Sequence, residues 1–266
     1  MGQEAGAGQG GVTGQGGLKL FDSHCHLTAE AFDDERPAVI ERAREAGVTE
    51  LVTIASDPED AEHALKIARG QDGVWCTAGL HPHEADRFGD ETVETLRRLA
   101  ASPEVVAIGE AGLDFHYDNA PREKQRICFE AQLALAAELD LPIVVHSRSA
   151  DRDTAELISS TDARGVLHCF TAGLELLETG LDAGWMVSFS GIVTFRRFDD
   201  ADLVRRVPDD RLLIETDSPY LAPVEPAYIP ATCEAVAAMR GQKPESLAEL
   251  TRRNARAFYG LDPDAV

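Results

Sequence analysis

Residues 121–147, PREKQRICFEAQLALAAELDLPIVVHS, contain one complete step of the fold. Residues 121–140 read as a helix, with Pro121 suited to its first turn and Ile127, Ala131, Ala134 and Leu135 approximating one apolar face. LPIVVHS (141–147) follows as a near-continuous apolar run ending on polar residues, the pattern of a strand covered on both faces.

Outward from there the step recurs. LKLFDSH (18–24), ELVTIAS (50–56), VWCTAGL (74–80), VVAIGEA (105–111), RGVLHCF (164–170), WMVSFSG (185–191) and RLLIETD (211–217) have the same character. Helix-like segments such as RPAVIERAREAG (36–47) lie between them, and PESLAELTRRNARAFYG (244–260) reads as a terminal amphipathic helix ended at Gly260. Eight strands alternating with helices predict an α/β chain folded as a (β/α)8 TIM-type barrel, with an open doubly wound sheet as the alternative. The length of 266 residues suits one such barrel. Residues 1–17, almost free of apolar bulk, predict a disordered glycine-rich tail before a single domain over 18–266.

Composition excludes several classes. No apolar run reaches the length of a membrane span, and no charged n-region precedes an apolar h-region as secretion would require. The five cysteines are odd in number, scattered and without a C-x-x-C pair, which argues against a disulfide framework or zinc knuckle and for a reducing cytoplasm. A net charge of −22 argues against attachment to nucleic acid through the overall field; a polyanionic substrate would need metal ions and local arginines. No G-x-G-x-x-G follows the first strand and no Walker-type loop occurs, so nucleotide-cradle functions lose support. No segment stands out as an interface for an obligate protein partner.

The chemistry gathers at the strand ends. His24 and His26 close the first strand, Glu110 the fourth, His146 the fifth, His168 the sixth and Asp217 the eighth, while His81 follows the third. These are the C-terminal ends, where barrel enzymes assemble their sites. Burying so many unpaired polar groups is costly, and metal ions resolve that conflict. Side chains alternate faces along a strand, so His24 and His26 point together while Cys25 packs against the helices. Four histidines and two carboxylates exceed one tetrahedral zinc and suit two divalent ions sharing a carboxylate. Mixed nitrogen and oxygen ligation fits Mn²⁺, Zn²⁺ or Co²⁺ better than all-oxygen Mg²⁺ geometry, but cellular availability often decides, so Mg²⁺, Mn²⁺ and Zn²⁺ stay open.

With FDSHCHL (21–27), GLHPHE (79–84), AIGEAGLDFHYD (107–118), VVHSR (144–148), GVLHCFTAG (165–173), FSG (189–191), ETDSPYLAP (215–223) and NARAFYGL (254–261) in that order, the chain resembles the TatD family of metal-dependent deoxyribonucleases, within the amidohydrolase-like barrels. The resemblance covers residues 18–261. It implies metal-dependent hydrolysis of phosphodiester bonds in DNA, often 3′-to-5′ on single strands. It also implies that His24, His26 and Asp217 hold one ion, that His146 and His168 complete a second, and that Glu110 bridges them.

Physical roles follow for the same positions. The ions would lower the pKa of a water and polarise the phosphoryl group. Asp217 either accepts the proton of that water or serves solely as a ligand. His81 is read as a contact to a phosphate oxygen or as a partner of a ligand. Arg148, two residues after His146, would meet phosphate bidentately or pair with a rim acid such as Asp114. Asp114 and His116 are read as supporting residues, Arg196 and Arg197 as solvated, and Trp185 and Met186 as core. Two alternatives accompany the nuclease reading: another amidohydrolase-type C–N, ester or phosphoester hydrolase, and a metal-binding protein with weak or no nuclease activity. Against the first, VVAIGEAGLD holds no lysine to be carboxylated. For the second, no His, Arg or Lys lies between Asp217 and Arg240, where the family commonly has a short basic stretch. The shortened loop after Pro223 predicts an intact metal site with a weaker hold on DNA.

Overall fold

The computed structural model describes residues 17–221 and 225–262. Residues 1–16 of the glycine-rich segment and residues 222–224 of the loop around Pro223 lie outside the described residues, and with them both expectations made there.

Strands β1 (Leu20–Cys25), β2 (Val48–Thr53), β3 (Val74–Ala78), β4 (Val105–Asp114), β5 (Ile143–Arg148), β6 (Gly165–Leu167), β7 (Met186–Phe189) and β8 (Leu212–Ile214) form one sheet in chain order, every neighbouring pair parallel. Helices α1 (Arg36–Glu45), α2 (Pro58–Arg69), α3 (Asp90–Ala100), α4 (Arg122–Leu139), α5 (Asp151–Ser159), α6 (Leu174–Asp182), α7 (Ala201–Arg206) and α8 (Ile229–Arg240) follow the strands one by one, and α9 (Pro244–Phe258) comes last. This is the TIM-type barrel that the alternation predicts. At the seam between first and last strands, the Asp217 N–H donates to the His24 carbonyl (2.9 Å), the His26 N–H to that of Ser218 (2.8 Å), and the Ser23 hydroxyl to that of Ile214 (3.0 Å). No helix among the described residues is long and apolar enough to cross a membrane.

The core has two apolar layers. One lies between sheet and helices and includes Cys25, Val39, Ile40 and Trp185; the other includes Phe21, Val106, Val144, Val166, Met186 and Leu213, capped by Phe258 and Tyr259 beyond the last strand. Cys25, Trp185 and Met186 are therefore core residues, as read. The Glu50 carboxylate, buried on β2, meets Arg252 (2.5 Å) and Arg256 of α9, tying the terminal helix to the barrel.

α4 corrects one detail. Ile127 is 48 % exposed and Ala134 is also exposed, while Gln125, Cys128, Phe129, Gln132, Leu133, Leu135 and Ala136 face inward. Two buried glutamines decide the rotation. Gln132 accepts from the Leu80 N–H and donates to the Leu80 carbonyl (both 2.9 Å), and Gln125 does the same for Asp114 (2.8 and 3.1 Å). Each satisfies backbone groups that would otherwise be buried without partners.

Candidate metal centre

Two strands depart from regular pairing where they carry site residues. Asp22 pairs with Leu51 but Cys25 with Thr53, so three steps along β1 match two along β2. Likewise Ile108 pairs with Ile143 but Ala111 with Val145. Bulges of this kind re-aim side chains, here those of His24 and Glu110. Gly112 permits close packing beside the second: its φ is +137°, and a Cβ there would lie 2.0 Å from the His146 carbonyl oxygen.

The six expected ligands converge. The Nε2 atoms of His24 and His26 are 3.1 Å apart. Glu110 Oε2 lies 3.5 and 3.7 Å from them, and Asp217 Oδ1 lies 3.7 and 3.6 Å away. On the other side, Glu110 Oε1 lies 2.9 Å from His168 Nε2, 3.2 Å from His146 Nδ1 and 3.5 Å from His81 Nε2. One carboxylate thus faces two groups of donors with its two oxygens.

The first group fits a cation better than internal pairing. Its 3.5–3.7 Å separations are too long for hydrogen bonds. Ligand atoms about 2.1 Å from one ion in tetrahedral array sit roughly 3.4 Å apart, close to what is seen. His24 and His26 also leave their buried Nδ1 atoms without a hydrogen-bond partner among the described residues.

Neighbouring charges keep the carboxylates ionised. Burial would raise Glu110, but His168, His81 and His146 hold it well below the usual carboxylate range. Burial likewise opposes ionisation of Asp217, and His26 and His24 outweigh it. Burial and the neighbouring His168 depress His24; burial depresses His81 against the pull of Glu110. His168 goes the other way, since Glu110 and Glu215 overcome its burial and hold it well above the ordinary histidine range.

Several supporting residues carry no signal in isolation. Asp114 Oδ2 lies 3.1 Å from His146 Nε2 and 2.9 Å from His83 Nε2, so it orients the ring whose Nδ1 meets Glu110. Asp114 is thus the supporting residue its position predicts, while His83 joins it with no pattern in the sequence to mark it. Glu215 accepts from the Cys169 N–H (2.6 Å), with its Oε1 also 3.3 Å from His168 Nδ1. Asp22 accepts from the Thr216 N–H (2.9 Å) and hydroxyl (2.6 Å), bracing the segment that carries Asp217; burial pushes its carboxyl up to about 7. Both acids stand two residues before a ligand, a spacing that could have drawn notice.

The remaining expected residues divide. His81 is at the centre, forming a third potential metal-holding group with Glu110 and His146. Arg148 is exposed on the rim and lies over the Tyr117 ring at 4.8 Å, rather than against Asp114, which the two histidines occupy. His116 is exposed and reaches Asp114 only through its backbone N–H (2.9 Å). Arg196 and Arg197 are exposed, as read.

A family model described as TatD related DNase matches residues 21–260. The chain belongs to that family. It is a metal-dependent hydrolase of the TatD type, and the nuclease reading is favoured over the alternatives. A 3′-5′ ssDNA/RNA exonuclease TatD from Pantoea vagans is 40 % identical over 259 residues, covering 91 % of this chain and all of the relative. An uncharacterized metal-dependent hydrolase, YabD of Bacillus subtilis, is 35 % identical over 254 residues, with coverage of 91 % and 100 %. Among solved structures, the TatD homologue YjjV from Escherichia coli superposes with a TM-score of 0.86 at 27 % identity, covering 91 % of this chain and 98 % of its own.

Proposed function

We propose that this TatD-type hydrolase cleaves phosphodiester bonds in single-stranded nucleic acid, DNA first, from the 3′ end, with two divalent ions in the barrel mouth. The observation that carries the reading is Glu110, whose Oε2 faces His24 and His26 while its Oε1 faces His146 and His168. His24, His26 and Asp217 would hold one ion, His146 and His168 the other, with Glu110 offering an oxygen to each. The nitrogen and oxygen donors favour Mn²⁺ or Zn²⁺, with Mg²⁺ also admissible. Bound there, divalent ions lower the pKa of a water and stabilise charge on the phosphoryl oxygens.

The chain's own groups supply the rest. Asp217, held ionised by His26 and His24, accepts the proton of the attacking water. His81 holds a phosphate oxygen beside the second group, and Arg148 meets the next phosphate at the rim. The 18–266 barrel acts as one catalytic unit behind the 1–17 segment. The five free cysteines support a reducing, cytoplasmic setting.

The test is hydrolysis of 5′-labelled single-stranded DNA by metal-stripped protein, with Mg²⁺, Mn²⁺ or Zn²⁺ added back. A metal-dependent ladder shortening from the 3′ end, lost in Glu110→Gln, supports the reading. Equal background in both proteins refutes it, and saturable metal binding without any cleavage would favour the metal-binding alternative.

A further inference from the structure

Six large hydrophobic side chains are exposed among the described residues: Tyr117, Ile127, Leu174, Phe195, Tyr220 and Tyr228. Two of them touch the histidines of the metal centre or its support. The Tyr220 ring meets His26 edge-on at 4.6 Å, and the Tyr220 N–H donates to the Asp217 carbonyl (3.1 Å). The Tyr117 ring meets His83 edge-on at 5.6 Å, and its N–H donates to Asp114 Oδ1 (2.8 Å). Each tyrosine is therefore anchored at its backbone by a residue of the site, while the residue as a whole stays 56 % (Tyr117) or 64 % (Tyr220) exposed. Leaving such rings in water forgoes the stabilisation that burial would bring, so core packing does not account for their position.

Their placement follows the two donor groups. Tyr220 stands beside His26, in the first. Tyr117 stands beside His83, which shares the Asp114 oxygen with His146, in the second. We propose that Tyr117 and Tyr220 are a base-stacking clamp, one ring flanking each half of the metal centre and taking unpaired bases on either side of the phosphate bound there. The clamp rests on the nucleic-acid reading above and names how that site selects single strands.

Two further features favour this occupant. The chain carries −22 net charge, so a polyanion gains little from the general field, whereas stacking draws on uncharged base faces. Arg148 lies over the Tyr117 ring at 4.8 Å, placing the rim cation where the backbone next to a stacked base would run. Inside a duplex both faces of a base are covered by its stacked neighbours, so an inner base must unstack before a ring can take it.

Steady-state kinetics test this with a single-stranded oligonucleotide and with the same strand carrying abasic residues near its 3′ end. Stacking on one aromatic ring accounts for about a 5- to 150-fold change in affinity. Tyr117→Ala and Tyr220→Ala should each raise KM on the natural strand by that much, with kcat changed less than about threefold. Tyr117→Phe and Tyr220→Phe should stay within about twofold of the parent, because the ring and not the hydroxyl stacks. Ile127→Ala, on the outer face of α4, should behave as the parent. On the abasic strand the parent should lose what the two alanine substitutions lose together, and the Tyr117→Ala/Tyr220→Ala double variant should lose nothing more. Unchanged KM in both alanine variants, or an abasic penalty that adds fully to theirs, overturns the clamp. Fluorescence anisotropy of a labelled strand on a Glu110→Gln background reads the same contrast without turnover. A parent that cleaves nothing would thus refute the nuclease reading, while the anisotropy still decides the clamp.

Discussion

Glu110 lies 3.5 Å from His24 through one carboxylate oxygen and 2.9 Å from His168 through the other. A neutral amide in its place keeps the shape but loses the charge that both donor groups share. Glu110→Gln is expected to leave fewer than two ions per chain after loading, measured by elemental analysis. Activity on oligonucleotides should fall by more than the roughly 10- to 100-fold that loss of an outer partner costs. Two retained ions with full activity would remove Glu110 from the bridge.

Asp114 acts at one remove, through the ring of His146. Asp114→Asn should weaken ion binding on that side by about 10- to 100-fold and leave binding at the His24, His26 and Asp217 group nearly untouched. A metal titration should then resolve into one tight and one weakened step. Equal weakening of both steps would show a general loss of structure.

Gly112 packs against β5 with no room for a side chain, since a Cβ would stand 2.0 Å from the His146 carbonyl oxygen. Its φ of +137° is also a conformation that L side chains rarely adopt. Gly112→Ala should destabilise the protein by about 2 kcal/mol or more and lower Tm by roughly 4 °C or more in thermal unfolding. A variant with unchanged Tm would show that β4 and β5 can part freely there.

Burial pushes the Cys76, Cys128 and Cys233 thiols up to about 12, from an ordinary value of 9.0. Between those pH values the unfolded chain releases protons that the folded chain keeps, so unfolding becomes easier. Their contribution to stability is complete below pH 9.0 and is lost as pH rises through about 12. Denaturant midpoints should therefore decline from pH 9 upward, and a disulfide exchange reagent at pH 8 should label these thiols only after denaturation. Rapid labelling of all five cysteines in the native protein would contradict the burial.

Glu50 tests the closure of the barrel from its other end. Glu50→Gln leaves the Arg252 and Arg256 guanidiniums without the buried carboxylate they face. Breaking a buried pair in this way costs about 3–5 kcal/mol, which corresponds to a Tm lower by roughly 6–20 °C. A loss below about 1 kcal/mol would mean that water reaches the arginines readily.

The barrel was legible because parallel strands covered on both faces must be apolar for most of their length, so runs such as LPIVVHS stand out against their helices. The six candidate metal-holding positions stand out in the sequence because each polar residue falls at or just past the end of such a run. Three things were hidden. The bulges at His24 and Glu110 depend on pairing between distant segments, and simple alternation does not report them. Asp217 follows β8 by three residues with φ +55°, a local turn that an apolar pattern extends straight through. The buried face of α4 was misplaced because Gln125 and Gln132 turn inward to serve backbone groups, which periodicity counts as polar and therefore outward. Glu215 and His83 act only through the rings they orient or share a partner with, which no local pattern reports.

The seam where Asp217 donates to His24 has a consequence for how the protein comes into being. His24 and His26 emerge early during translation, whereas Asp217, which shares their donor group, emerges only after all eight strands have been made. No partly synthesised chain can assemble that group, so competence arrives late and all at once. A ribosome-held chain stopped before β8 should bind no ion at that place in a metal titration.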